Sequence, residues 1–215
     1  MRRSIARHMV HSKQTSPHVT TVFEIDFSTV AAHRANHKEK FLQDGARLTF
    51  TVYVIAAVVQ ALKEQPMANS VWTEKGIVLK RETNIGMAVA VPGGLIVPVI
   101  KNADGLNLLG LTRKINDLAA RARTKELNTD EVQGGTFTVT NHGTSGSLFA
   151  TPIINQPQAG ILGIGKIEKR VKVIDDAIAI RPLAYASFTF DHRILDGAKA
   201  DAFMSNVKEK IESWS

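Results

Sequence analysis

The stretch that most constrains this chain runs from Ala184 to Ile211. Its first part, Ala184 to Phe190, alternates in polarity and is rich in aromatic and β-branched residues, the pattern of a half-buried strand. Its last part, from Ala198 on, carries Ala198, Ala202, Phe203, Val207 and Ile211 at helical spacing. Between them lies Asp191-His192-Arg193-Ile194-Leu195-Asp196-Gly197. A strand must therefore give way to a helix within one short loop, with His192 at the strand mouth. The strand fixes the imidazole and the loop leaves it open to a substrate. Histidine is also the side chain whose ordinary pKa suits proton transfer near neutrality. Spacing alone is a weak signal, since a histidine beside an aspartate in a turn is more often structural, so the rest of the chain has to decide.

With 215 residues the chain is long enough to bury a full core, and 44% hydrophobic against 22% charged residues is the balance of a soluble globular protein. The longest apolar run, Tyr53 to Leu62, is interrupted by Gln60 and is too short to cross a bilayer, so no membrane association is expected. No secretory signal opens the sequence. Cysteine is absent, which excludes disulfides, thiolate metal sites and a cysteine nucleophile. The net charge of +7 is scattered over Arg2-Arg3, Arg113-Lys114, Arg121 to Lys125 and Lys166 to Lys172, with no interleaved aromatic platform. Nucleic acid is therefore not an expected partner. His8, His11, His33 and His37 fall at helical spacing and read as surface pairs, so no metal site is expected.

The remaining elements follow from pattern and punctuation. Arg2 to Lys13 bears a helical stripe (Ile5, Ala6, Met9, Val10), and Ser16-Pro17 ends it. Val19 to Phe27 reads as a strand, and Ser28 as the N-cap of a helix towards Phe41. Leu48 to Lys63 is an apolar helix capped by Thr49 or Thr51 and closed by Pro66. Val71-Trp72 and Gly76 to Leu79 form a hairpin. Asn84 to Ile100 reads as two buried strands joined at Pro92-Gly93-Gly94. No Walker or Gly-x-Gly-x-x-Gly pattern opens a helix there, so a nucleotide loop is excluded. Leu106 to Leu127 is an amphipathic helix whose charged face carries Arg113, Lys114, Asp117 and Arg121. Thr136 to Gly143 is a strand running into a loop, Val171 to Ile180 a hairpin, and Arg181-Pro182 leads into the strand before His192.

Asp-His-Arg-x-x-Asp-Gly after an alternating strand resembles the active-site signature of the dihydrolipoamide acyltransferases, the core components of the 2-oxo acid dehydrogenase complexes. These are similar in fold and mechanism to chloramphenicol acetyltransferase. The resemblance extends along the chain. Arg-Arg-x-Ile-Ala-x-x-Met, Ser-Pro-His and Glu-Ile-Asp resemble the opening of that domain. Ile85 to Val99 and Phe137 to Gly163, the latter with Pro152-Ile153-Ile154-Asn155-Gln156-Pro157-Gln158, resemble two further family segments.

What the resemblance implies is specific. The fold is α/β, an α+β sandwich with a mixed β-sheet flanked by helices, and residues 1–215 form a single catalytic domain without the family's lipoyl and peripheral-subunit-binding domains. An acyl group moves between the thiols of dihydrolipoamide, presented by another domain, and coenzyme A. His192 is the general base and Thr140 the hydroxyl that stabilises the oxyanion. Asp196 holds the loop by pairing with an arginine, Arg2 or Arg3 being candidates, while Asp191 and Arg193 have structural roles. His142 is a rival for the base, at a position the family does not fix as histidine. The implied assembly is a homotrimer with sites between subunits, built into a 24-mer or 60-mer core with decarboxylase and dihydrolipoamide dehydrogenase partners, in a bacterial or archaeal cytoplasm or a mitochondrial matrix. Two alternatives share the motif: another coenzyme-A-dependent O-acyltransferase of this fold, and a scaffold that has lost catalysis. Acetyl, succinyl and branched-chain members share every motif quoted.

Overall fold

The computed structural model describes residues 2–215. Helix α1 (Arg2–Thr15) leads into β1 (His18–Asp26), followed by α2 (Ser28–Gln43) and α3 (Phe50–Glu64). A hairpin, β2 (Ser70–Thr73) and β3 (Gly76–Leu79), precedes β4 (Ile85–Met87), β5 (Val89–Val91), β6 (Gly94–Ile96) and β7 (Val99–Ile100). Then come α4 (Leu108–Thr124), β8 (Phe137–Asn141), β9 (Gly160–Ile164), β10 (Glu168–Ile174), β11 (Ala177–Asp191) and α5 (Gly197–Glu212). Seven strands form one sheet in the order β1-β11-β9-β8-β4-β7, with β10 also paired to β11. Strands β4, β8 and β9 run parallel to one another and the other pairings are antiparallel, so the sheet is mixed, as expected.

Period-two alternation decides which side chains meet. Phe137 and Val139 of β8, Leu162 and Ile164 of β9, and Ala186, Phe188 and Phe190 of β11 share one face, and all are buried. Helices α2 to α5 close over this face. Phe203 of α5 packs its ring 5.4 Å from that of Phe137 and 4.7 Å from that of Phe188. Helix α3 buries nine of its residues, which explains its nearly unbroken apolar sequence. The opposite sheet face carries Thr138, Thr140, Gly163, Ser187 and Thr189. The segment 152–158 lies against it, with Pro152 beside Gly163 and the Gln158 side-chain oxygen accepting the Thr138 hydroxyl (2.6 Å), and α1 sits on that segment through a hydrogen bond from the Ser12 hydroxyl to the Ile154 carbonyl (2.6 Å).

Three expectations need correction. Asn84 to Ile100 is not two buried strands. Pro98, which lacks an N–H, and Ala88 interrupt the ladders, and the outer β5–β6 hairpin is a separate two-stranded piece with Leu95 48% exposed. The strand before His192 does not begin after Pro182 but runs 15 residues from Ala177. At the head of α2 the N-cap position is Phe27 rather than Ser28, and the Asp26 carboxylate before it accepts from the Ser28 N–H and hydroxyl at 2.8 and 2.6 Å.

Strand β11 outruns its neighbours. Strand β1 pairs with it only as far as Leu183, and β9 only from Ala186. From Ala177 to Arg181 its backbone pairs with β10 alone, so β10 and the start of β11 project as a two-stranded arm. The arm turns at Asp175 and Asp176, both with positive φ as a tight hairpin requires. Its cross-strand pairs Val171–Ile180 and Val173–Ile178 share one face, each side chain between 66% and 80% exposed.

Candidate active site

The corner bearing His192 is fastened from four directions. The His192 N–H donates to the Pro17 carbonyl (3.0 Å), extending the β1–β11 ladder beyond His18–Asp191. Asp191, only 2% exposed, takes a bidentate contact from the Arg193 guanidinium, the shortest arm 2.6 Å, and accepts the Ser16 hydroxyl at 2.6 Å. Burial on its own would raise the Asp191 pKa; the hydrogen bonds from Arg193 and Ser16 outweigh it and hold the carboxyl below its ordinary value. Arg193 also lies over the Trp72 ring at 5.4 Å. The Ser16 hydroxyl in turn accepts from the Gln156 amide at 2.7 Å. His18 accepts the Ile154 N–H at Nε2 (3.1 Å), which leaves Nδ1 protonated to donate to the Ser16 carbonyl (2.7 Å). The His192 ring itself is exposed and stacks loosely on Phe190, with centroids 5.8 Å apart. A rigid backbone thus carries an open imidazole, the arrangement a general base needs.

The structure supports the structural roles expected of Asp191 and Arg193. The structure gives Asp196 a different partner from the one expected: no arginine among the described residues meets that carboxylate. Asp196 instead caps α5, accepting the Lys199 N–H at 2.8 Å, with the Lys199 ammonium 3.8 Å away. Asp196 still holds the loop, but by ending it on a helix.

Thr140 is not beside His192. By register Thr140 faces Gly163, which faces Ser187 on β11, five residues before His192. At about 3.3 Å per residue and about 4.8 Å per strand, the two side chains lie roughly 16 Å apart along the sheet and roughly 10 Å apart across it. Within one chain they cannot act on the same atom.

Around Thr140 the polar groups are poorly satisfied. Asn141 is an exception: its amide donates to the Thr51 hydroxyl (3.0 Å) and its oxygen accepts the Gly143 N–H (3.1 Å). His142 lies over Gly163, its Nε2 3.3 Å from where a β-carbon on that glycine would sit, so the missing side chain is what seats the ring. Both His142 nitrogens and the Ser187 hydroxyl are buried with no hydrogen-bond partner among the described residues. Burial lowers the His142 pKa, so the ring is neutral near pH 7. A cavity of about 680 Å³ opens by Asn141 and Thr144, with Arg47 and Arg123 on its rim. No group of three or more potential metal ligands occurs among the described residues.

Sequence reasoning missed Ser16, His18 and Gln156 as the clamp on the His192 corner. Their signal was present in Ser-Pro-His and in the Asn-Gln-Pro-Gln run, but their partners lie more than a hundred residues away in the chain. Ser187 was read only as a strand residue.

A mixed sheet of this topology, with helices over one face, has the fold of chloramphenicol acetyltransferase. Chloramphenicol acetyltransferase itself superposes with a TM-score of 0.62 at 16% identity, a likeness in fold, over 95% of this chain and 94% of that one. The family model for the 2-oxoacid dehydrogenases acyltransferase (catalytic domain) matches residues 1–215, and the chain belongs to that family. It is 42% identical over 99% of its length to the dihydrolipoyllysine-residue acetyltransferase component of the pyruvate dehydrogenase complex of Staphylococcus aureus. It is 41% identical, again over 99%, to the succinyltransferase component of the 2-oxoglutarate dehydrogenase complex of Rickettsia bellii. The chain spans about half the length of these curated relatives (50% and 54%). A probable dihydrolipoamide acetyltransferase from Listeria monocytogenes superposes with a TM-score of 0.97 at 42% identity, covering 100% of this chain and 92% of that one. The Azotobacter vinelandii dihydrolipoamide acetyltransferase does so at 0.95 and 32%, covering 98% and 88%; its structure addresses the role of a serine, a histidine and an asparagine in catalysis.

Proposed function

We propose that this chain transfers an acyl group between dihydrolipoamide, presented by another domain, and coenzyme A. The observation that carries the reading is His192: an exposed imidazole on a corner clamped by Pro17, Ser16, Asp191 and Arg193, in a chain matched end to end by the family model. His192 takes the proton from the attacking thiol, because the thiolate is the nucleophile, and returns it to the departing thiolate. The tetrahedral oxyanion accepts a hydrogen bond from Thr140, an interaction typically worth about 3 kcal/mol. In the Azotobacter enzyme the serine, histidine and asparagine are separated by the same two intervals as Thr140, His192 and Asp196 here, which supports the assignment with threonine and aspartate in place of serine and asparagine.

The separation of His192 from Thr140 supports a site shared between chains, His192 from one copy and Thr140 from the next, in a homotrimer. The exposed apolar arm supports the same view, because a lone two-stranded ribbon is marginally stable and these four side chains want a cover. A larger core built from such trimers, a 24-mer or 60-mer serving decarboxylase and dihydrolipoamide dehydrogenase components, is consistent with a solved relative described as the cubic core of the pyruvate dehydrogenase multienzyme complex. The test is thioester exchange. Acetyl-, succinyl- and isobutyryl-coenzyme A are each supplied with dihydrolipoamide to the wild type and to His192→Ala. Turnover of one donor, abolished by the substitution, is expected; no turnover of any donor by an assembled protein contradicts the reading.

A further inference from the structure

The general-base reading leaves His142 without a task, yet its setting is unusual. Its ring lies over Gly163, the middle residue of a row whose outer members are Thr140 on β8 and Ser187 on β11. Residues in such a row point their side chains to the same face of the sheet, so Thr140 and Ser187 share the face on which the ring lies. Among the described residues neither imidazole nitrogen is paired, nor is the Ser187 hydroxyl, although all three atoms are buried. Buried polar groups are normally satisfied, and unsatisfied ones collect where function needs them.

A threonine hydroxyl has one proton. To donate it to an oxyanion in a fixed direction, its oxygen is best held by accepting a hydrogen bond from another group. A neutral imidazole offers one N–H and one bare nitrogen, so it can donate to Thr140 while accepting from Ser187. We propose that His142 is a positioning residue: with acyl substrate bound, its N–H donates to the Thr140 oxygen and Ser187 donates to its other nitrogen, aiming the Thr140 proton at the oxyanion. Hydrogen bonds of this kind are commonly long in the free enzyme and close in the substrate complex. Burial without an ionised neighbour keeps the ring in the neutral form this arrangement requires. The inference rests on the reading of Thr140 as the oxyanion donor.

Steady-state acyl transfer to dihydrolipoamide by His142→Leu, His142→Gln, Thr140→Ala and the Thr140→Ala/His142→Leu double variant tests it. Leucine fills similar space without a donor and is expected to lower kcat about tenfold with KM unchanged, a fraction of what loss of an oxyanion donor costs. Glutamine keeps an N–H and is expected to retain most of kcat. In the Thr140→Ala background the leucine change should cost nothing more. An unchanged kcat in His142→Leu, or an equal loss in both backgrounds, overturns the role of His142 alone. Full activity in Thr140→Ala overturns the oxyanion assignment and the inference with it.

Discussion

The two ends of the sheet differ in how completely one chain satisfies them. At the His192 end, buried Asp191 and Ser16 and half-buried His18, Gln156 and Arg193 find partners, all within the same chain. At the Thr140 end, His142 and Ser187 stay unpaired and the arm beyond them leaves four branched apolar side chains in solvent. A folded chain tolerates such debts where something else completes the structure. On the proposed reading, the contrast means that the base is prepared within the monomer, whereas the hydroxyl proposed to work with it is completed by another copy.

Removing the base is expected to have the largest effect. His192→Ala should lower turnover at least about 100-fold, the usual range for a general base, with the assembly intact by sizing chromatography. Next comes the arm. A Val173→Lys/Ile178→Lys variant should run as a monomer and lose most activity although His192, Thr140 and their surroundings are untouched; an assembled, active variant would remove the arm from the argument. Asp191→Asn attacks the satisfied end and should cost about 2 kcal/mol by chemical denaturation, since it weakens charge-assisted hydrogen bonds to a buried group. It also has a pH signature. The Asp191 pKa is depressed by folding, so its contribution is fully present above the unfolded value of about 3.9 and is lost as pH falls through the lower folded value. The asparagine variant should therefore show a flatter loss of stability below about pH 4. The smallest effect is expected of Asp196→Ala, about 1 kcal/mol for a lost helix cap.

Much of this was legible in the sequence, because alternation and capping are local. The strand into His192, the helix after it and the β2–β3 hairpin were all readable from spacing. What was not legible depends on contacts distant in sequence. Asp196 was expected to meet an arginine, but its own backbone geometry puts it at an N-cap, where the Lys199 N–H is nearer. The break at Ala88 and Pro98 was hidden because Ile85 to Ile100 carries no polar side chain, and composition does not reveal where a ladder fails. The unpaired state of His142 and Ser187 arises only when Gly163 brings β8 and β11 together. The distance between Thr140 and His192 follows from strand order, which neither motif encodes.

The central claim is that one site is built from two chains. Mixing His192→Ala with Thr140→Ala, after dissociation and reassembly, tests it most directly. Each variant alone is expected to keep no more than about one hundredth of wild-type turnover. In the mixture a fraction of the interfaces pairs an intact His192 with an intact Thr140, about one quarter by random assembly of a closed ring. The account predicts recovery to about that fraction of wild-type turnover. A mixture that stays at the level of the separate variants, with mixed assemblies shown to form, would contradict it.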